Sequence, residues 1–172
     1  MVDPMGHWGA KIEFLSSLSV WLEKYINPVS SKENKKAKLP TQLIAAIHYR
    51  ESSCNFKTYL HNGDPLGKPT THVPKGKNFT KFTDAAVDAL KEKETYRRKY
   101  KLKKNSKDIA AMLSFAEVYN GLGYYNMDKV SPYIYSGTNL YTKGKFSSDG
   151  SYNPSLKDKQ PGIYILIKKV CN

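Results

Sequence analysis

The residues best suited to chemistry in this chain lie between Ala45 and Gly67. An apolar run, Ala45-Ala46-Ile47-His48-Tyr49-Arg50, ends in Glu51 and is followed by the small polar turn Ser52-Ser53-Cys54-Asn55. A carboxyl at the C-terminal end of an apolar helix meets the negative end of the helix dipole and loses hydration to its neighbours. Both effects disfavour the charged form, so its pKa is expected to rise. A carboxylic acid that stays protonated near neutral pH can donate to a leaving-group oxygen, as glycoside cleavage requires. Further along, Asp64 stands in the turn-rich segment Leu60-His61-Asn62-Gly63-Asp64-Pro65-Leu66-Gly67. A helix-end acid facing a carboxylate on a neighbouring loop is the layout of a two-carboxylate glycosidase. An Asp before Pro is also an ordinary turn former.

Two other chemistries have the residue types without the setting. Cys54 with His48, His61 or His72 has the parts of a thiol nucleophile, but reactive thiolates favour helix N-termini and positive surroundings. Cys54 falls just past a helix C-terminus. His48, His61, His72 and Asp64 are metal-ligating types, yet the chain has no His-Glu-x-x-His and no paired-Cys spacing. Neither metal nor cofactor is expected. Cys54 and Cys171 are the two cysteines, too few for a disulfide framework, and their spacing leaves pairing open.

The elements that must position these residues are readable from period and punctuation. Phe14, Leu15, Leu18, Trp21, Leu22 and Tyr25 predict an amphipathic helix over 12–26, stopped at Asn27-Pro28 and followed by a Lys-rich connector over 29–38. A second helix begins near Leu39-Pro40-Thr41, with Pro suited to the first turn, and ends around Glu51. Residues 52–82, rich in Gly and Pro, predict turns or a short hairpin, and so long a loop region in a compact domain is usually functional. Thr83 is the expected cap of a third helix that buries Ala85, Ala86, Val87, Ala89 and Leu90. Ser106 is the expected N-cap of a fourth, with Asp108 in its first turn and Gly121 at its end. The run Gly162–Ile167 fits a strand or a buried helix equally. Together these predict one mainly α (or α+β) domain over residues 1–172.

Charge bounds the partners. The 172 residues carry 28 Lys+Arg against 15 Asp+Glu, a net +13, which favours a polyanionic partner. Over half of that surplus, a net +7, lies between Lys91 and Lys107. Thirteen tyrosines add rings with an apolar face and a polar tip, suited to sugar, nucleic acid or protein. No standard RNA- or DNA-binding motif is present, so a specific nucleic-acid partner is not expected. No apolar run is long enough to span a bilayer, and no secretion signal is legible at the N-terminus. The expectation is a chain that stays cytoplasmic until released by lysis or another exit route.

The segment Leu39–Phe56, an apolar helix ending in Glu-Ser with Phe five residues after the Glu, resembles the first motif of the lysozyme-like superfamily of lytic transglycosylases and goose-type lysozymes. Ala116-Glu117-Val118-Tyr119-Asn120-Gly121 resembles its Tyr-Asn-Ala-Gly motif, which closes a helix beside the cleft. Tyr59–Gly67, Ser131–Gly137 and Asp149-Gly150 are similar to a phage or bacterial branch, so the resemblance touches roughly residues 39–160. It implies a lysozyme-like helical domain that cleaves the MurNAc-β-1,4-GlcNAc bond of peptidoglycan at the bacterial wall. Glu51 would be the general acid. Ser52 would hold the active-site turn, and Tyr119 and Asn120 would line the cleft. Tyr124, Tyr133 and Tyr135 are candidates for stacking on sugar rings. The basic stretch 91–107 would dock onto anionic wall or membrane polymers. One departure matters: the superfamily's Gly-Ala-x-Gly-Leu-x-Gln after the Glu-Ser is absent, and Asn62–Gly67 stands there instead, removing a Gln and supplying Asp64. Hydrolysis and non-hydrolytic transglycosylation are both open on these residues. The rival readings are a non-enzymatic basic binding protein for nucleic acid or wall polymer, and a chitinase-like glycosidase of the same fold.

Overall fold

The computed structural model describes residues 38–148 and 150–171, so the helix expected over 12–26 lies outside the described residues. The described chain is mainly helical, with seven helices and one two-stranded ribbon.

The rest is assembled around α1 (Thr41–Ser52), in which every residue from Leu43 to Tyr49 is buried. A helix apolar on all sides is one that other elements surround. Pro40, expected in the first turn, sits one place earlier as the N-cap, and its carbonyl accepts from the N–H groups of Leu43 and Ile44 at 3.1 and 3.2 Å. At the other end the Ser53 N–H donates to Tyr49 and the Cys54 N–H to His48. Ser53 and Cys54 are both left-handed, at φ 51° and 63°. That tight reversal satisfies the last carbonyls, as such C-terminal motifs do, without the glycine that usually relieves the strain.

Helix α2 (Phe82–Lys91) buries Ala85, Ala86, Val87, Ala89 and Leu90, as their spacing predicts. Its N-cap is Lys81, and Thr83 lies within the first turn instead of capping it. The short α3 (Glu94–Lys99) is held by Glu94, which accepts from both Arg97 and Arg98. Helix α4 (Ile109–Asn120) is capped by Asp108, whose Oδ1 accepts from the Ala111 N–H at 3.0 Å. Ser106 is instead engaged by the Lys103 N–H. Both residue types cap well, and the extended backbone immediately before the helix falls at Asp108. Gly121 ends α4 as expected.

Single turns α5 (Gly123–Asn126) and α6 (Pro132–Tyr135) follow, then an antiparallel ribbon of β1 (Lys145–Ser148) and β2 (Ser151–Asn153). The tail resolves as a helix, α7 (Ile163–Cys171). It buries Ile163, Leu166 and Ile167, three and four residues apart, and leaves Lys168 and Lys169 exposed. The core forms where α1 packs on α7 and α4, with α6 closing against α4 and α7. Residues 53–81 form turns with one isolated bridge, Thr58 to Pro65.

Candidate active site

Glu51 is the penultimate residue of α1, and its carboxyl turns inward, where Tyr133 of α6 donates its hydroxyl to Oε1 at 2.8 Å. Burial pushes the Glu51 carboxyl up to about 7, against the partial opposition of the Tyr133 hydrogen bond and the Arg50 charge. Burial disfavours the carboxylate because nothing in the protein replaces its lost hydration in full. The neighbouring Arg50 points away and anchors the helix end. Its Nη2 donates to Asp158 Oδ2 at 2.7 Å, and its Nη1 to the carbonyls of Gln160 and Pro161. The same guanidinium lies 5.0 Å from the centre of the Tyr133 ring. Asp158, Arg50, Tyr133 and Glu51 thus form one connected set that fixes the acid's orientation.

The loop after α1 folds back over that end. Gly63, at φ 78°, packs its Cα against the helix so closely that a Cβ there would lie 2.8 Å from the Glu51 carbonyl oxygen. Only glycine combines this backbone angle with this approach. The loop is also pinned by Tyr119 of α4, whose hydroxyl donates to the Leu60 carbonyl at 2.8 Å.

Asp64 is placed within this loop, with its carboxylate fully engaged. Oδ2 accepts from the N–H groups of Thr71 and His72 at 2.7 and 3.0 Å, and Oδ1 lies 2.6 Å from His72 Nδ1. Burial alone would raise its pKa, but the hydrogen bonds from His72 and Thr71 outweigh it and hold the carboxyl down to about 2. Asp64 therefore ties residues 59–67 to residues 71–72, and it is not among the residues lining the cavity at Glu51.

That cavity has a volume of about 440 Å³ and is walled by Glu51, His61, Glu92, Lys93, Tyr119 and Asn120, with Val73 and Pro74 at one side. Of the sequence-derived site residues, the fold brings Glu51, Tyr119 and Asn120 to this one space, with Tyr133 bonded to Glu51 from behind. Ser52 bonds back to the His48 carbonyl within the helix. Tyr124 is buried under the ribbon and accepts from the Phe146 N–H, and Tyr135 faces a separate cavity beside the Tyr164 ring. Neither residue lines the cavity at Glu51.

Residue periodicity did not reveal His61, Glu92 and Lys93 as cavity residues. The one available signal was an acid, Glu92, set at a helix end inside a basic run. Behind the cavity wall, Lys77 Nζ lies 2.7 Å from both Asp88 Oδ2 and Glu92 Oε1, and His61 Nε2 lies 3.0 Å from Asp88 Oδ2. His61, Asp88 and Glu92 are close enough together to hold a cation, and the Lys77 ammonium already bridges the two carboxylates.

The thiol chemistry loses its footing. Cys54 is a free, buried thiol pushed by burial up to about 12, far from the thiolate that nucleophilic attack requires. His48 is a core residue between the rings of Phe56 and Phe82. Burial lowers it to about 4, against a hydrogen bond to the Asn55 carbonyl that pulls it up. Comparison with known protein families, curated proteins and solved structures finds no match for this chain.

Proposed function

We propose that this protein is a lysozyme-like glycosidase that cleaves the MurNAc-β-1,4-GlcNAc bond of peptidoglycan, with Glu51 as general acid. The observation that carries this reading is a carboxyl with a pKa raised to about 7 that lines an open cavity beside the Tyr119-Asn120-Gly121 helix end. A buried carboxyl without function is a cost to the fold, and such groups concentrate at catalytic sites.

The chemistry follows from the geometry. A glycan strand lying in the cavity presents its glycosidic oxygen to protonated Glu51. Proton donation breaks the C1–O bond as an oxocarbenium-like transition state develops. Tyr133 holds Oε1 and so aims the carboxyl, while Asn120 and Tyr119 supply polar and aromatic contacts along the wall. Asp64 serves as the frame of the loop that closes the site. The exposed cations from Lys91 to Lys107 begin at the cavity rim, since Lys93 lines it, and they suit docking on anionic wall polymers.

Replacing Glu51 by Gln removes the proton and keeps the shape. General acid catalysis is worth about 100- to 10,000-fold, so Glu51→Gln is expected to release soluble fragments from purified peptidoglycan at least about 100-fold more slowly, with an unchanged circular dichroism spectrum. A folded variant that clears peptidoglycan at the wild-type rate overturns the proposal. The basic surface equally suits a non-catalytic polyanion binder, and that reading predicts no fragment release by either protein.

A further inference from the structure

The same cavity holds a second carboxylate, and it is not Asp64. Glu92 closes α2 as its C-cap and lines the cavity with Glu51. Its side chain is 36% exposed, so water reaches it. Its Oε1 accepts from Lys77 Nζ at 2.7 Å, while Oε2 has no protein partner among the described residues. One oxygen is thus anchored and the other is free to accept a hydrogen bond from water. Lys77 is itself fixed from the far side by Asp88, which His61 holds in turn. The hydrogen bonds that Lys77 donates to Asp88 and Glu92 raise its pKa above its ordinary value, so the anchor stays charged over the whole working range. Asp64 offers no such free oxygen, because Thr71 and His72 take both.

Resting on the glycosidase reading above, we propose that Glu92 is the catalytic base that orients and deprotonates the attacking water, making the reaction a hydrolysis. Glu51 gives its proton to the glycosidic oxygen, which takes the electron pair of the breaking C1–O bond. Water attacks C1, its oxygen forms the new bond, and its proton passes to Glu92. Return of that proton to solvent, and reprotonation of Glu51 from solvent, restore the enzyme. Each cut leaves a reducing end. The two carboxyls divide the work by position: Glu51, sheltered at the end of α1, gives the proton, and Glu92, open to water beside Lys77, receives one.

The test uses the full chain on purified peptidoglycan, with products read by mass spectrometry. Wild-type protein is expected to release reducing ends. Glu92→Gln and Glu92→Ala are expected to lower reducing-end release by about 100-fold. Sodium azide is expected to restore cleavage to Glu92→Ala and to yield a glycosyl azide, a product that a merely structural role for Glu92 would not give. Two results overturn the proposal: folded Glu92→Gln releasing reducing ends within about threefold of wild type, or wild-type products ending only in 1,6-anhydro sugars. In both of these the Glu51-dependent cleavage survives. Wild-type protein that cuts no glycan at all overturns the glycosidase reading itself and this proposal with it.

Discussion

In the proposed reaction Glu51 can act as an acid only while it holds its proton, and Tyr133 helps set how far up the pH scale it does so. The Tyr133 hydroxyl donates to Oε1, and a donated bond stabilises the carboxylate more than the acid. It therefore pulls down a pKa that burial has raised to about 7. Removing that bond leaves burial less opposed, and the pKa rises further. The acid is then protonated up to higher pH. Tyr133→Phe is accordingly expected to move the alkaline limb of the pH–activity profile upward from near neutrality, with the acidic side little changed. A limb that stays in place, or moves down, means that the bond does not set the acid's titration. Tyr133 was legible in the sequence as an aromatic in a Tyr-rich segment, but its partner lies 82 residues upstream. No local pattern encodes such a pairing, so the ring read as a stacking surface and turned out to be a donor.

The element that concentrates the demands is the end of α1 with the loop folded over it. Gly63 meets the helix where a Cβ would overlap the Glu51 carbonyl, at a backbone angle that side chains resist. Gly63→Ala is expected to cost about 1–2 kcal/mol from the left-handed backbone alone, and more from the overlap. Because the displaced atoms belong to Glu51, activity should fall by more than the stability loss accounts for. Thermal melts compared with turnover at a temperature where the variant is fully folded would separate the two effects. An alanine variant as stable and active as wild type would mean that the loop has room to move. The helices themselves were readable, because Leu43-Ile44-Ile47 and Ala85-Ala86-Ala89-Leu90 fall on helical spacing whatever surrounds them. Their first residues were not, since Ser106 and Asp108 are equally good caps and the path of the backbone chose between them. The loop's service to the site was half readable: Gly63 and Asp64 announced turns, but which oxygen met which N–H depended on a second loop at residues 71–72.

At the scale of the whole molecule the charge is lopsided. Lys91, Arg98, Lys99, Lys101, Lys103, Lys104 and Lys107 are exposed along one continuous segment, and its start borders the cavity. Among the described residues Glu94 pairs with Arg97 and Arg98 alone. Attraction of this kind is screened over about 10 Å at 0.1 M salt. Co-sedimentation with anionic cell walls should therefore fall steeply between about 0.05 and 0.5 M salt. Replacing Lys101, Lys103 and Lys104 together by Gln should weaken binding at low salt and flatten that dependence. Binding that ignores both salt and these residues would place the wall contact elsewhere. Among the described residues no helix is long and apolar enough to cross a membrane.

The Arg50 anchor also has a consequence for order of assembly. The guanidinium that steadies the end of α1 finds its carboxylate 108 residues later, at Asp158, and its carbonyls at Gln160 and Pro161. A growing chain can coil α1 early, but it cannot anchor that end of the helix until Asp158, Gln160 and Pro161 have left the ribosome. The proposed acid is made early and steadied late, so a fragment ending before Asp158 carries Glu51 without the contact that fixes its neighbour.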